Sequence, residues 1–562
     1  LTGDFLAPYL LSSIDKGYGM MRMLDKTPID YLTWGNHEAD ISHSTVCKHV
    51  RGFKGKWLNT NMPDHEAMDD QLLYDVVEIS SSDGSQTRRV GLCAVLSDDP
   101  KLYAQFKSPG AFGGATIQDP WETLAKYKKI LEEDEKCDLV IPLQHTYVPD
   151  DHRTCREFDF PVLLSGHDHH RVDEVIEGTR LLKPGLDGIY ATVLDITWDT
   201  EKSDTPDIAA SFVKCSDWAP DPALSLEVEK AYSALAPLRN TELARVPSRF
   251  LPLSSFGSRG CVCTMGKYVC SLIRSALNTD NDFYEGGGCD CVLIMGGNIR
   301  GGTEYPDKPG YFSLEALEAE IKPDETIGVV MMPGWLISEG VRATHRGDPI
   351  PGWFQYDDGV VEDEDEDAIV TINNEAIDMD RMYRVATKVG DLTNGQSAPM
   401  TKYFTEHPEM LPPNGAYFNV HSTLMAFFAR NLWRRMWDAV GPIDEDDEEN
   451  CNISPSKDED LISRCDPQGR MAKLNPDEDG EVSIDAIHNA LGNLLGLRID
   501  ESNKELAEFV HGYADTDNDG RVTINDFKHF CKAMPKLYEQ DKWRLAHAKE
   551  GSRQPRYFKS TV

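Results

Sequence analysis

Residues able to bind divalent metals occur at four points in the first 170 residues, three of them beside glycine. The segments are Gly3-Asp4, Gly35-Asn36-His37-Glu38, His145 and Gly166-His167-Asp168-His169. A bridging carboxylate can hold two divalent cations roughly 3.5–4 Å apart, and imidazole and amide groups can complete their coordination. Two such cations polarise a phosphoryl group, and a histidine that is not a ligand can protonate the leaving oxygen. The pattern therefore predicts a two-metal centre suited to phosphoester chemistry.

Short apolar strands are expected to position these groups. The predicted strands of this part are Tyr31–Trp34, Val90–Val95, Leu139–Leu143 and Val162–Ser165, with a helical pattern over 121–133. Most of the polar groups directly follow a strand, and in α/β folds such loops meet at one edge of the sheet. A second α/β pattern follows, with predicted strands Cys291–Met295, Ile327–Met331 and Tyr383–Thr387.

A length of 562 residues indicates several domains. Changes in composition and pattern divide the chain into six segments. They are an α/β domain over 1–220, a connecting helix or linker over 221–244, a second α/β domain over 245–440, an acidic linker over 441–455, an all-α pair of metal-binding loops over 456–540, and a basic tail over 541–562.

The net charge of the chain is −38, which disfavours nucleic acid and anionic membranes as partners. An anionic substrate would therefore need a local positive focus, which a metal centre supplies. The apolar stretches are too short to span a bilayer. The 13 cysteines contain no Cys-x-x-Cys pair, and we expect reduced thiols.

Two Asp-rich loops lie 40 residues apart in the last quarter of the chain. The second fits an EF-hand loop, with carboxylates at positions 1, 3 and 5, glycine at 6, a carbonyl donor at 7 and Asp at 12. Its predicted ligands are Asp515, Asp517, Asp519, Arg521 and Asp526. The first loop has Ala486 at position 12, so either a calcium site or a plain acidic turn fits it. Its candidate ligands are Asn475, Asp477, Asp479 and Glu481.

The ligand segments resemble the signature of calcineurin-like metallophosphatases, in the 5'-nucleotidase branch. Gly3-Asp4-Phe5-Leu6-Ala7-Pro8 and Trp57-Leu58-Asn59-Thr60-Asn61 extend the likeness, which covers about residues 1–440. The resemblance implies a metallophosphatase β-sandwich flanked by helices and two Zn, Mn or Fe ions. It also implies roles: Asp4 bridges the metals, Asn36, His145 and His167 complete one site, His169 serves the other, and His37 is the general acid.

The family pattern also includes an Asp-x-His element upstream of its Gly-Asp segment. This sequence begins at Leu1, directly before Thr2-Gly3-Asp4. We therefore expect the natural chain to start further upstream, where a targeting region would also lie. The sequence leaves the compartment open.

The second α/β segment resembles the 5'-nucleotidase C-terminal domain in three places: Gly266–Arg274, Met295–Arg300 and Pro351–Tyr356. The resemblance implies substrate binding by Arg274, Arg300 and Phe354. Arg300 is suited to fork onto a phosphate or carboxylate, and Phe354 or Trp353 to stack on a base. The alternative is that the aromatic residues belong to the core and that Arg300 forms a surface ion pair.

These observations favour a metal-dependent hydrolase of small phosphoesters, with nucleoside monophosphates as the expected substrates and Ca²⁺ at the C-terminal loops. Two alternatives stay open: a cyclic-nucleotide phosphodiesterase or nucleotide-sugar hydrolase with the same metals, and a catalytically impaired calcium-sensing scaffold. The basic tail could dock on the calcium-binding segment as an amphipathic helix, although an ordinary terminal helix explains it as well.

Overall fold

A computed structural model describes residues 1–532 with some gaps. The parts outside the description are 105, 107, 199–205, 234–243, 280–287, 306–310, 347, 349, 364–367, 374, 441–465, 496–503, 518 and 533–562. The described chain is mixed α/β up to residue 440 and helical beyond 466, which confirms the predicted α/β class. Among the described residues, no helix combines the length and apolar character needed to cross a bilayer.

The described part of the first region contains ten strands. They are β1 Tyr31–Thr33, β2 Lys56–Leu58, β3 Tyr74–Ser80, β4 Thr87–Leu96, β5 Leu139–His145, β6 Val162–Ser165, β7 Arg171–Ile176, β8 Thr179–Pro184, β9 Tyr190–Thr197 and β10 Asp207–Lys214. Six of them form one sheet with strand order β3-β4-β5-β6-β8-β7. The central strands β4, β5, β6 and β8 run parallel, and the outer strands β3 and β7 are antiparallel to their neighbours.

Both faces of this sheet are covered, as the side-chain alternation of β5 shows. Leu139, Ile141 and Leu143 share one apolar cluster with residues of the β1–β2 pair and the β9–β10 hairpin. Val140 points to the opposite face, where it packs with Leu124 and neighbouring residues. A strand buried on both faces is expected to be mostly apolar, and β5 is apolar from Leu139 to Leu143.

Helices of the first region connect the strands and pack beside them. The helix α5 (Pro120–Lys129) begins after Asp119, whose carboxylate accepts the Glu122 N–H at 2.8 Å. Pro120 occupies the first position of this helix. The helices are α1 Ser12–Asp15, α2 Tyr18–Lys26, α3 His43–Gly52, α4 Pro100–Tyr103, α5 Pro120–Lys129, α6 Val148–Glu157 and α7 Pro222–Ser233.

The second region contains a five-stranded sheet of order β17-β13-β21-β16-β22 and a three-stranded sheet of order β18-β19-β20. Its strands are β11 Ala244–Arg245, β12 Leu253–Ser254, β13 Cys291–Met295, β14 Glu304–Tyr305, β15 Tyr311–Phe312, β16 Thr326–Pro333, β17 Phe354–Tyr356, β18 Val360–Asp363, β19 Ala368–Ile372, β20 Glu375–Ala376, β21 Met382–Thr387 and β22 Phe418–Asn419. Its helices are α8 Thr264–Thr279, α9 Leu314–Glu320, α10 Gly334–His345, α11 Ala398–Glu406 and α12 Val420–Ala439.

The C-terminal helices pack on α12 of the second region. They are α13 Pro467–Lys473, α14 Ile484–Leu495, α15 Lys504–Ala514 and a helix over 524–532. Trp433 and Trp437 of α12 are fully buried against Phe527 and Phe530, with ring centroids 5.4–6.1 Å apart. Because this apolar core is continuous, the C-terminal helices are fixed to the second region. The predicted docking of the tail 541–562 lies outside the described residues.

The strands predicted from apolar runs are confirmed. Val162–Ser165 and Cys291–Met295 are found with the predicted bounds, and the strand predicted at 139–143 continues to His145. The helical pattern over 121–133 becomes α5 and a following π-helical turn, Ile130–Asp134.

Candidate metal centre

Three loops of the first region bring their polar side chains together. One ligand atom from each of Asp4, His145 and His167 lies within 4.8 Å of the other two. His145 is the last residue of β5, and His167 follows β6, its parallel neighbour. The carboxyl ends of adjacent parallel strands therefore place the two histidines side by side, as the sequence predicted.

Glycines allow these loops to approach each other. Gly3 has φ +82°, and a Cβ there would lie 2.5 Å from the Gly35 backbone nitrogen. A Cβ on Gly35 would lie 2.3 Å from Asp4 Oδ1. Two candidate ligands, Asp4 (φ +57°) and His167 (φ +75°), are themselves left-handed, a conformation often found where a site constrains the backbone.

Three potential ligand atoms surround Nε2 of His145. The ring is oriented because Nδ1 lies 2.6 Å from the carbonyl oxygen of Thr2, to which only an N–H can bond. Nε2 faces Asp4 Oδ2 at 2.9 Å, His167 Nδ1 at 3.1 Å and Asn36 Oδ1 at 3.2 Å. Burial opposes a charged ring, but Asp4 raises the pKa of His145, so without a metal Nε2 carries a proton that faces these acceptors. A cation in place of this proton would be surrounded by the same atoms, so the donor set fits a divalent transition metal.

The charges of the cluster support ligation. Burial alone would favour a neutral Asp4, but the neighbouring His145 and His37 hold the pKa of its carboxyl well below the usual range. Burial, reinforced by His145, lowers the pKa of His167 to about 2, so this ring stays neutral. Its Nε2 is buried and has no hydrogen-bond partner among the described residues. A bound cation or its ligand would satisfy that nitrogen.

His37 lies beside this cluster and is held by two acidic residues. Its Nδ1 is 2.7 Å from Asp40 Oδ2, and its backbone N–H donates to Asp4 Oδ1 at 2.9 Å. Burial opposes a charged ring, but Asp40 and Asp4 outweigh it and raise the pKa of His37 to about 9. In the absence of metals the imidazole therefore carries a proton at neutral pH, as a general acid requires.

Glu38 is a structural residue of the centre to which sequence reasoning assigned no role. Its fully buried carboxylate accepts the backbone N–H groups of Asp4, Phe5, Leu6 and Gly35 at 2.7–3.1 Å. These bonds fix the segment that carries Asp4 to the loop that carries Asn36. Its place in the motif after His37 was the available signal.

A buried lysine supports the two histidine loops, and sequence reasoning missed it. Lys183 has no exposed side-chain surface, and its ammonium donates to the Thr146 carbonyl oxygen and to Asp168 Oδ2, both at 2.7 Å, and to Asp151. Thr146 follows His145, and Asp168 follows His167. The ammonium group of Lys183 thus joins both loops that carry candidate ligands. A lone lysine in a strand, Thr179–Pro184, gave no signal of this role.

His169 is not brought into the group. It is exposed, and the 4.8 Å group found among the described residues contains Asp4, His145 and His167 but not His169. Its assignment as a ligand of the second metal stays a prediction.

A second group of potential ligands, His43, Cys47 and His65, fits a metal less well. Nδ1 of His65 accepts hydrogen bonds from the Ala67 N–H at 3.2 Å and from Gln71 Nε2 at 3.0 Å. The neutral ring therefore carries its proton on Nε2, the remaining nitrogen. Neither nitrogen of His65 then has a free lone pair to offer a metal.

The predicted substrate-binding residues lie in three different environments. Arg300 is exposed, as a ligand-binding residue could be. Arg274 is buried and pairs with Asp357 at 3.1 Å and Asp358 at 2.9 Å, so carboxylates of the second region already balance its charge. Phe354 lies fully buried in a strand of the apolar core, with no surface on which a base could stack. The prediction that Phe354 stacks on a base is therefore wrong, and Phe354 is a core residue, as the alternative interpretation of the sequence had it.

The C-terminal loops pair in the way expected of two metal-binding loops. The Val482 N–H donates to the Val522 carbonyl oxygen at 2.9 Å, which joins position 8 of one loop to position 8 of the other. Arg521 pairs with Glu481 across the loops at 2.7 Å.

In the second loop, Asp515, Asp517 and Asp519 each offer a carboxylate oxygen within 4.8 Å of the others. Asp526 does not belong to this group, and its two oxygens accept hydrogen bonds from Thr516 and Thr523. In the first loop, Asp477 Oδ1 accepts the N–H groups of Asp479 at 3.1 Å and Glu481 at 2.9 Å, and Asn475 has φ +56°.

No protein-family model and no curated protein matches the sequence. The solved structure of Haemophilus influenzae NAD nucleotidase is similar to it, with a TM-score of 0.54 and 12% identity over 76% of this chain and 85% of that chain. The matching part of the chain has the fold of this nucleotidase. A 5'-nucleotidase precursor from Thermus thermophilus also matches, with a TM-score of 0.42 and 17% identity over 76% of this chain and 86% of that one.

Proposed function

We propose that this chain is a metal-dependent phosphomonoesterase that releases phosphate from nucleoside 5'-monophosphates. The observation that carries the proposal is the convergence of Asp4, Asn36, His145 and His167 beside a protonated His37. A ligand set of this kind suits divalent cations, and an adjacent acid suits protonation of an alcohol leaving group. The fold shared with a nucleotidase supports the same class.

The side chains divide the work between metal binding and proton transfer. Asp4, Asn36, His145 and His167 would hold the metals, with His169 as a further candidate. When bound, two divalent cations polarise the phosphoryl group and lower the pKa of an attacking water. Asp40 holds Nδ1 of His37, which leaves the proton on Nε2 available to the leaving oxygen.

Nucleoside recognition would come from the second region. Exposed Arg300 is suited to a phosphate or carboxylate, and half-buried Trp353 replaces Phe354 as the aromatic candidate. The Trp353 ring already stacks on His345 with centroids 4.7 Å apart. A base would therefore have to use its other face.

The test is hydrolysis of nucleotides by the full-length protein with Mn²⁺, Zn²⁺ or Mg²⁺, with all products, including free phosphate, separated by chromatography. AMP is the expected substrate, compared with cyclic AMP, a nucleotide sugar and NAD. Preference for cyclic AMP, the nucleotide sugar or NAD would move the activity to another reaction of the same metal chemistry. Absence of turnover with every substrate and metal would refute the hydrolase and favour the scaffold alternative.

We further propose that the 515–526 loop binds Ca²⁺. Its three clustered carboxylates and its pairing with the 475–486 loop support this, while the position of Asp526 predicts weak affinity. Calorimetric titration of the protein with Ca²⁺ should show a site that Asp515→Ala removes. Glu508→Ala, on the exposed face of α15, is the matched control and should leave binding unchanged. Equal calcium binding by both variants would contradict the assignment.

A further inference from the structure

The metal centre of the first region receives one residue from the second. Residues Asn414–Ala416 form a short turn after Pro412-Pro413 and before β22. The carbonyl oxygen of Gly415 in this turn accepts a hydrogen bond from Asn36 Nδ2 at 3.1 Å. The two residues are 379 positions apart in the chain, so only tertiary packing brings them together.

The contact determines which end of the Asn36 amide faces the cluster. A carbonyl oxygen can only accept, so the NH₂ group of Asn36 must point to Gly415. The amide oxygen then faces the opposite way, 3.2 Å from Nε2 of His145. Only the oxygen can bind a hard or borderline cation, so the reverse orientation would present two N–H donors to the metals.

Tyr147 anchors the same turn from the other side. The Gly415 N–H points to the Tyr147 hydroxyl oxygen at 3.4 Å, and the Tyr147 ring lies edge-on to His167 with centroids 4.0 Å apart. Gly415 is therefore linked to two ligand residues at once, to Asn36 through its carbonyl and to His167 through Tyr147.

A side chain at position 415 would have to displace its neighbours. A Cβ on Gly415 would lie 2.8 Å from Leu102 Cδ2, 2.9 Å from His167 Cε1 and 3.1 Å from Asn36 Nδ2. The backbone of Gly415 is not left-handed, so alanine is sterically allowed by its own φ and ψ. An added methyl group would therefore act through its contacts, which are with Leu102 and with two candidate ligands of the metal centre, His167 and Asn36.

We propose that Gly415 is a positioning residue for metal binding, and that docking of the second region on the first orients Asn36 as a ligand. The proposal rests on the proposed metal site but not on the identity of the substrate. It makes metal affinity depend on a residue outside the metallophosphatase-like region.

The test compares Gly415→Ala with Gly52→Ala, a glycine at the exposed end of α3 with no atom within 4 Å of an added Cβ. Mn²⁺ affinity is measured by equilibrium dialysis and metal analysis. Displacement of a ligand by a neighbour outside the coordination sphere typically weakens binding about 10–100-fold, and we expect this for Gly415→Ala only. Thermal unfolding of the two variants monitors folding.

A double-mutant cycle tests the mechanism. Asn36→Asp presents an oxygen to the cluster in either orientation, so Gly415→Ala should weaken Mn²⁺ binding much less in that background. An equal loss in both backgrounds would overturn orientation of Asn36 as the mechanism. If Gly415→Ala does not fold, Tyr147→Phe removes the anchor of the turn without adding an atom, and unchanged Mn²⁺ affinity in this variant would count against the proposal.

Because Mn²⁺ binding is measured directly, this test is independent of nucleotidase activity. A native protein that binds Mn²⁺ in a Gly415-dependent manner but hydrolyses no phosphoester would refute the proposed function and keep this inference. An active protein whose Mn²⁺ affinity is unchanged by Gly415→Ala would do the reverse.

Discussion

The candidate metal centre and the 515–526 loop each bring three potential ligand residues within 4.8 Å of one another, but they are built in opposite ways. The centre is largely buried, mixes imidazole nitrogen with oxygen, and draws Asp4, His145 and His167 from distant parts of the chain. The loop is largely exposed, offers only carboxylates, and takes Asp515, Asp517 and Asp519 from five consecutive residues.

The difference in ligands indicates a difference in ions. Imidazole and carboxylate together suit Zn, Mn or Fe, whereas an all-oxygen loop of flexible geometry suits Ca²⁺. The difference in construction indicates a difference in sensitivity. The centre should respond to substitutions anywhere in the packing that joins its loops, while the loop should respond chiefly to its own residues.

The largest effect is expected from His37→Asn. Removal of a general acid lowers kcat about 10²- to 10⁴-fold, and metal content and calcium binding should stay unchanged. His152→Asn, at a half-buried histidine paired with Glu174, is the control. A loss of metal from the His37 variant would instead make it a ligand and change the description of the centre.

The pH dependence of kcat tests whether His37 acts in its protonated form. The pKa of His37 is raised to about 9, so the acid is present below that pH and activity falls as pH rises through it. Because bound cations repel the proton, the basic limb should lie at or below pH 9 in the metal-loaded enzyme. Persistence of the same limb in His37→Asn would assign it to another group.

Lys183→Met should separate the two sites most clearly. Removing this buried cation leaves Asp151 and Asp168 unpaired and destabilises the fold by about 3–5 kcal/mol, measured by urea unfolding. Mn²⁺ affinity should fall about 10–100-fold, while Ca²⁺ affinity stays the same. Lys26→Met, which breaks a surface pair with Glu227, should cost less than about 1 kcal/mol. Parallel losses of Mn²⁺ and Ca²⁺ would show that the sites are not independent.

The smallest effect is expected from Asp526→Glu. A longer side chain at position 12 reaches the bound ion more easily, and Ca²⁺ affinity should rise severalfold without any change in Mn²⁺ binding. The gain is limited because the hydrogen bonds from Thr516 and Thr523 to this position must be given up. Weaker Ca²⁺ binding would show that these bonds organise the loop.

Strands and ligand loops of the first region were accessible to sequence reasoning because their signals are local. An apolar run such as Leu139–Leu143 must be buried, and the polar residue that follows it must lie at the sheet edge. Which side chains of the second region are buried could not be predicted from the sequence. Trp353 and Phe354 are adjacent aromatic residues, yet Trp353 is half-buried and Phe354 fully buried, because the pairing of β17 with β13 decides which ring faces the core.

The sequence by itself determined the chemistry available to this protein: the ligand types, their order after predicted strands, and the spacing of the calcium-type loops. These depend on residue identity and short-range periodicity, which the chain carries at every position. Only the tertiary structure decided that Lys183 joins the histidine loops, that α12 covers the C-terminal helices, and that Gly415 orients Asn36. Each of these contacts links residues from different parts of the chain. The residues of a short segment do not specify which distant group will pair with a given donor or charge, so such contacts cannot be predicted from local sequence.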